Sequence, residues 1–263
     1  MDKPLVSIVI PFYNLGIFLK ETVLSVLDQS YQNFEIIIIN DGSTEEESIS
    51  VLSQIKDLDA RIKVYDQQNQ GPCSAKNYGV EKASGSIVGF LDSDNCFLPE
   101  YIEKSVFAIE NEGVDWFFGD LIYFGEKLGR KSQLLKCSEE IFINSPIDNC
   151  FFLRKSVFNQ IGGFDEYLNR LGLEDWELII RLLTKRKSYK NVPEVMFKYR
   201  VRSNSRSANE AKEFQKKIKR YVYEKHSETF INYYSNLVFE NLKLKDSFEF
   251  KIGRVLRRIL QRK

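Results

Sequence analysis

Two aspartates stand two residues apart in Ser86-Ile87-Val88-Gly89-Phe90-Leu91-Asp92-Ser93-Asp94-Asn95. The apolar part reads as a buried strand, and alternate residues of an extended chain point to one side. Asp92 and Asp94 can therefore offer hard oxygen ligands to one cation. Mg2+ takes one or two protein carboxylates and completes its shell with water and substrate phosphates. The pair suggests a metal–phosphate site at the carboxyl end of a strand; an Asp-rich turn is the plainer reading of the same residues. A second acidic group, Glu174-Asp175-Trp176-Glu177, opens a helical pattern. The helix dipole alone favours acids in a first turn. The four cysteines, at 73, 96, 137 and 150, form no C-x-x-C, and the one histidine, His226, is distant in sequence. That argues against zinc.

The elements that must position these groups follow from periodicity. Val6–Ile10 is an apolar run that Pro11 is expected to stop, since proline lacks the N–H a central strand needs. Leu19, Val23, Val26 and Leu27 have helical spacing. Residues 35–40 form a second strand, apolar on both faces as central parallel strands are. Asp41-Gly42-Ser43-Thr44 follows, with Ser43 or Thr44 expected to cap a helix whose inner face is Ile49, Leu52 and Ile55. Residues 62–65 make a third strand. After the turn-rich 68–72, a helix with Ala75, Tyr78, Gly79 and Ala83 is small enough to pack close to a sheet. The aspartate-bearing strand comes next, then a helix from Pro99 with Ile102, Val106 and Ile109 inside, then an aromatic strand over 116–124. This alternation predicts an α/β fold with a mostly parallel sheet and helices on both faces. Ligands of such sheets sit beyond the carboxyl ends of the strands. Pro11-Phe12-Tyr13, Asp41-Gly42-Ser43 and Asp92-Ser93-Asp94 should therefore converge on one crevice. Further on, residues 125–147 read as a polar loop or short strands over it. A strand over 149–153, a helix ended by Gly162-Gly163, the helix opened by Leu173, with Ile180 and Leu183 inside, and a strand over 195–199 follow. Arg200, Arg202 and Arg206 come after.

With 263 residues, 43% hydrophobic and 29% charged, the chain can build a full core. Scattered cysteines and no signal-peptide pattern in 1–20 point to a reducing cytoplasm, and no apolar run approaches the ~18 residues of a membrane span. Net charge is +1, but residues 1–130 hold 10 Lys+Arg against 21 Asp+Glu, and residues 131–263 hold 28 against 16. An acidic front and a basic back suit a metal site in front and an anionic partner behind. Residues 251–263 place Ile252, Val255, Leu256, Ile259 and Leu260 on one helical face, with Lys251, Arg254, Arg257, Arg258 and Arg262 on the other. Such a helix can lie on an anionic membrane or dock on the protein's own core. No motif supports nucleic-acid binding.

Taken together, the segments resemble the inverting glycosyltransferases of family 2, with the GT-A fold. The matching pieces are Val6-Ser7-Ile8-Val9-Ile10-Pro11-Phe12-Tyr13-Asn14, Asn40-Asp41-Gly42-Ser43, Asn69-Gln70-Gly71 with Ala75-Lys76-Asn77-Tyr78-Gly79, and Gly89-Phe90-Leu91-Asp92-Ser93-Asp94. Downstream come Ile161-Gly162-Gly163-Phe164-Asp165-Glu166, Glu174-Asp175-Trp176-Glu177-Leu178 and Tyr199-Arg200. The resemblance covers roughly residues 4–207. It implies a GT-A domain over 1–207, with a Rossmann-like nucleotide-sugar half (1–124) and an acceptor half (125–207), and a C-terminal helical extension over 208–263. It implies a nucleotide-sugar donor, UDP-linked by expectation, and an acceptor hydroxyl on a saccharide or lipid-linked saccharide, as in polysaccharide biosynthesis. Pro11 and Tyr13 would line the base, and Asp41 would bond the base or ribose. Lys76 would contact the nucleotide or diphosphate, or else be a surface lysine. Asp92 would face the ribose and metal shell with Ser93 beside it, and Asp94 would ligate Mg2+ or Mn2+. Asp175 would be the general base and Glu174 its orienting neighbour. Trp176 would be an acceptor platform or simple core, and Asp165 would lie near a sugar. The enzyme would be cytoplasmic, either free or peripheral on the inner face of the membrane.

Two departures from the family stand out. Arg202 occupies the position where many members have histidine; it cannot ligate a metal but can bind diphosphate oxygens. Asn95 replaces a frequent third aspartate. Two other functions remain open from sequence: a nucleotidyltransferase that makes the nucleotide sugar, which the glycine-poor Pro11-Phe12-Tyr13-Asn14 disfavours, and a non-catalytic carbohydrate-binding protein on the same fold.

Overall fold

A computed structural model describes residues 3–135, 141, 147–169, 171–203, 212–232 and 234–235. Arg206, Cys137 and the basic stretch 251–263 lie outside the described residues. The first half alternates β1 (Val6–Phe12), α1 (Gly16–Leu27), β2 (Phe34–Asp41), α2 (Glu46–Lys56), β3 (Ile62–Gln67), α3 (Pro72–Lys82) and β4 (Ile87–Phe90). Then come β5 (Cys96–Phe97), α4 (Tyr101–Val106), β6 (Trp116–Gly125), β7 (Gly129–Lys131), β8 (Phe152–Arg154), α5 (Lys155–Ile161), α6 (Glu174–Thr184), β9 (Tyr189–Val201) and a last described helix, α7 (Lys212–Lys225). The sheet order is β3-β2-β1-β4-β8-β6-β9-β5, with β7 on β6. β3, β2, β1 and β4 are mutually parallel, and β8 enters antiparallel between β4 and β6. This is the α/β fold that the sequence predicts, with a sheet that is parallel from β3 to β4 and mixed beyond. Contacts divide the chain into a unit of residues 1–218 and a unit of 219–263. Within the second, the Tyr223 and Phe230 rings meet edge to face and Arg220 pairs with Glu224. Among the described residues no helix is long and apolar enough to cross a membrane.

Several local expectations change for physical reasons. β1 does not stop at Pro11; it runs to Phe12, with Pro11 opposite Ile39. Val6 N–H donates toward β2, to Asn33, so the odd-numbered amides face β4, whose pairing ends at Val9. The N–H that proline lacks is therefore not needed. α2 is not capped by Ser43 or Thr44. Asn14 instead holds the turn that leads into it from the β1–α1 loop, its Oδ1 accepting from Thr44 N (2.8 Å) and Glu45 N (3.2 Å). Ile49 is 47% exposed and Ser48 takes the inward place, because α1 approaches so closely that a Cβ on Gly16 would lie 2.6 Å from Ser48 Cα. Gly79 likewise lets α3 lie on β1: a Cβ there would be 2.4 Å from a Val9 methyl. In α6, Ile180 is buried as expected, but Leu182 rather than Leu183 is its fully buried neighbour.

Candidate active site

Beyond the carboxyl ends of β1, β2 and β4 lies a cleft of about 540 Å3, lined by Pro11, Phe12, Tyr13, Leu15, Asp41, Asn69, Gly71, Pro72, Ala75, Lys76, Asp92, Ser93, Asp94 and Arg202. The three loops do converge. Asp41 reaches it from the end of β2, and its carboxylate also fixes the opposite lip. Gln67 Nε2, Gln70 N and Gly71 N each donate to it at 2.8 Å.

Asp92 and Asp94 share the cleft wall, but through a turn rather than a strand. β4 ends at Phe90, and Asn95 N–H donates to Asp92 O at 3.0 Å, closing a tight loop. Arg200 braces that loop. Its N–H donates to Asn95 Oδ1 (2.9 Å) and its Nε to the Asp94 carbonyl (3.0 Å), while its guanidinium lies over Phe18 and Phe124 and pairs with Glu21. Asn95 also donates to Cys150 Sγ at 3.8 Å. An aspartate there could not make that bond. Arg202 holds Asp94, its Nε and Nη2 lying 2.9 and 2.7 Å from Oδ2. Burial, reinforced by Asp92, still raises Asp94 above the ordinary carboxylate range.

Lys76 is not a surface lysine. It is 1% exposed, with Nζ 3.5 Å from Asp92 Oδ1 and 3.5 Å from Glu174 Oε1, and it lies over the Phe164 ring. It thus ties the cleft wall to the acidic start of α6. Leu173 precedes that helix in the left-handed region at φ 61, an uncommon conformation for a leucine. Asp175 follows Glu174. Burial, then the Glu174 charge, lift its carboxyl to about 6, against opposing pulls from Trp176 N–H, Lys76 and Lys131. Glu177 is consumed by structure, pairing with Arg181. Trp176 is core: it is 1% exposed and its indole N–H donates to Ile141 O, so it presents no platform to an acceptor. Asp165 caps a short turn, accepting Tyr167 N–H at 3.0 Å.

The sequence reading missed other members of this neighbourhood. Asp148 is lifted to about 7 by burial, then by the charges of Asp175 and Asp92. Lys131, on β7, acts on both Asp148 and Asp175. Their one sequence signal is an aspartate just before an apolar strand. Among the described residues no group of three or more His, Cys, Asp or Glu could hold a metal. Two carboxylates still suit a Mg2+-type ion that takes the rest of its shell from phosphates and water. Asp94 would offer Oδ1 to such an ion, since Arg202 lies on Oδ2.

A model of the glycosyl transferase family 2 matches residues 7–203. The chain is 45% identical over 113 residues to an uncharacterized glycosyltransferase of Haemophilus influenzae, covering 42% of this chain and 45% of that protein. It is 28% identical over 249 residues to TuaG of Bacillus subtilis, a glycosyltransferase provisionally assigned to teichuronic acid biosynthesis, covering 91% of this chain and 98% of TuaG. The chain spans less than half the length of the first curated relatives it matches. Its fold is similar to that of S. aureus TarS 1–349 in complex with UDP-GlcNAc, at TM-score 0.67 and 18% identity, over 78% of this chain and 61% of that one.

Proposed function

The chain belongs to glycosyl transferase family 2, and from its cleft we propose that it moves one sugar, with inversion, from a UDP-sugar to a hydroxyl of a glycan or lipid-linked saccharide. One observation carries this reading: Lys76 joins the wall bearing Asp92 and Asp94 to the Glu174-Asp175 pair. A leaving diphosphate and an attacking hydroxyl need such groups on opposite sides of one sugar carbon.

Pro11 and Tyr13 line the mouth for the base, and Asp41 offers its carboxylate to base or ribose while holding the 69–71 lip. Ser93 lies at the wall between the two aspartates. Asp92 and Asp94 would hold Mg2+ or Mn2+, which would offset the charge growing on the diphosphate. Arg202 lines the same cleft and adds a fork of donors for phosphate oxygens. Asp175 takes the proton of the acceptor hydroxyl as its oxygen bonds to the anomeric carbon from the face opposite the phosphate. The bond from that carbon to the phosphate oxygen breaks, and its electron pair leaves with UDP. Glu174, anchored by Lys76, keeps Asp175 raised toward neutrality, where a general base works well.

The interleaved apolar and basic residues in the sequence of 251–263 would suit docking on anionic lipid, which would bring the enzyme to a lipid-linked acceptor at the inner face of the membrane. The test is UDP release from UDP-sugars by wild type, Asp94→Asn and Asp175→Asn. Loss in both variants supports the reading. Wild-type rates in either, or no release by wild type, as a purely carbohydrate-binding protein would give, would contradict it.

A further inference from the structure

Asp148 belongs to none of the segments that carry the family resemblance, yet the fold delivers it to the site. β8 runs antiparallel to β4 with Val88 opposite Leu153 and Gly89 opposite Phe152, and Phe90 N–H donates to Phe151 O at 3.2 Å. Beyond that bond the pairing ends, and the segment stays beside the Asp92–Asn95 turn through Cys150. Two bonds hold the segment there: Asn95 Nδ2 to Cys150 Sγ, and Tyr101 OH to the Cys150 carbonyl at 2.6 Å. On its other side the fully buried Gln133 accepts Asp148 N–H through Oε1. Gln133 is itself fixed by Gly119 O and by Asp120 Oδ1, which accepts its N–H at 2.9 Å.

Nothing in this framework consumes the Asp148 charge. Its carboxylate accepts only the neighbouring Asn149 N–H, at 2.8 Å, among the bonds of the described residues. The charged groups acting on it are Asp92 beyond β4, Asp175 on α6 and Lys131 on β7. The Tyr101 and Tyr123 phenols and the Cys150 thiol feel its charge in turn. Beside it, Asn149 is 7% exposed and its side-chain oxygen Oδ1 has no donor among the described residues. Polar groups kept at such a cost, unspent by the fold, point to a polar ligand.

We propose that Asp148 is a sugar-binding residue that holds a hydroxyl of the transferred hexose and sets which hexose is accepted. This rests on the donor reading above. The anomeric carbon must lie between its phosphate, at Asp92 and Asp94, and the base, Asp175. Asp148 stands two residues from Cys150, which bonds Asn95 at that wall, and the charges of Asp92 and Asp175 both act on it, so a hydroxyl of that sugar is the polar partner it can take. A site built to hydrogen-bond a hydroxyl discriminates strongly between sugars that place it and sugars that do not.

The experiment measures calorimetric affinities of the full chain, with Mg2+, for UDP, UDP-glucose, UDP-galactose, UDP-N-acetylglucosamine and UDP-N-acetylgalactosamine. Asp148→Ala should leave the Kd for UDP within about twofold of wild type. It should raise the ratio of hexose-nucleotide Kd to UDP Kd at least tenfold for the sugar that wild type prefers. Asp148→Asn keeps the size and a hydrogen-bonding group, guards against a folding defect, and should change the ranking of the four sugars. Ratios and ranking unchanged in both variants, or UDP and UDP-hexose affinity lost in equal measure, would overturn the proposal. Wild-type protein that binds neither UDP nor any of the four would overturn the donor reading itself.

Discussion

Lys76 holds its ammonium 3.5 Å from each of two carboxylates while almost wholly shielded from water. Glu174 is as buried as the lysine, whereas Asp92 is partly open, so the bond to Glu174 carries more of the energy. Removing one partner of a buried pair costs about 3–5 kcal/mol. Lys76→Met should therefore lower the denaturant midpoint strongly, and adding Glu174→Gln should restore part of the loss; no recovery in the double variant would contradict the pairing. The same neighbourhood governs the pH response. A base acts only when ionised, so transfer should rise as pH climbs through about 6, the value to which Asp175 is lifted, and level off above it. Glu174→Gln removes the like charge that raises Asp175 and should move this limb to lower pH. A pH–rate profile from 5 to 8 reads both; an identical limb in the variant would refute the coupling. The sequence offered Asp92, Asp94 and Asp175 because spacing and motif mark them. It hid Asp148, Lys131 and the burial of Lys76, because each acquires its meaning only from residues far along the chain.

At the scale of elements, strands and helices of the first half were readable from apolar runs and helical spacing, since each buries its own periodic face. What was not readable is how they are joined. Asn14 holds the turn before α2 from another loop, and Ser48 displaces Ile49 because Gly16 approaches it. α3 has a long-range cap. Asn169 Oδ1 accepts from Cys73 N (2.9 Å) and Ser74 N (3.1 Å), and its Nδ2 donates to Ser74 Oγ. Asn77 meanwhile exchanges bonds with the Phe164 backbone. These contacts clamp the Gly-Gly-Phe-Asp segment onto the helix that carries Lys76. Losing a side-chain cap costs about 1 kcal/mol. Asn169→Ala should reduce stability by that amount, seen as a shift of the urea midpoint at constant slope, and weaken UDP binding through the 71–76 segment. A midpoint equal to wild type would show that the cap contributes nothing.

Across the whole molecule, the acidic front half supplies every residue lining the cleft except Arg202, and the sequence of the basic back half ends in interleaved apolar and basic residues. Deleting 251–263 should abolish sedimentation with anionic liposomes and leave UDP binding unchanged; sedimentation equal to wild type would remove the membrane from the account. The central claim is narrower, that a nucleotide sugar bound by family 2 elements is attacked by a hydroxyl which Asp175 deprotonates. Its most direct test follows UDP release across a panel of UDP-sugars and saccharide acceptors, with UDP affinity measured alongside, for wild type and Asp175→Asn. A general base contributes about 10²–10⁴-fold, so the variant should bind UDP as wild type does and release it at least about a hundredfold more slowly. Equal rates in the two proteins, or no binding of UDP by wild type, would contradict it.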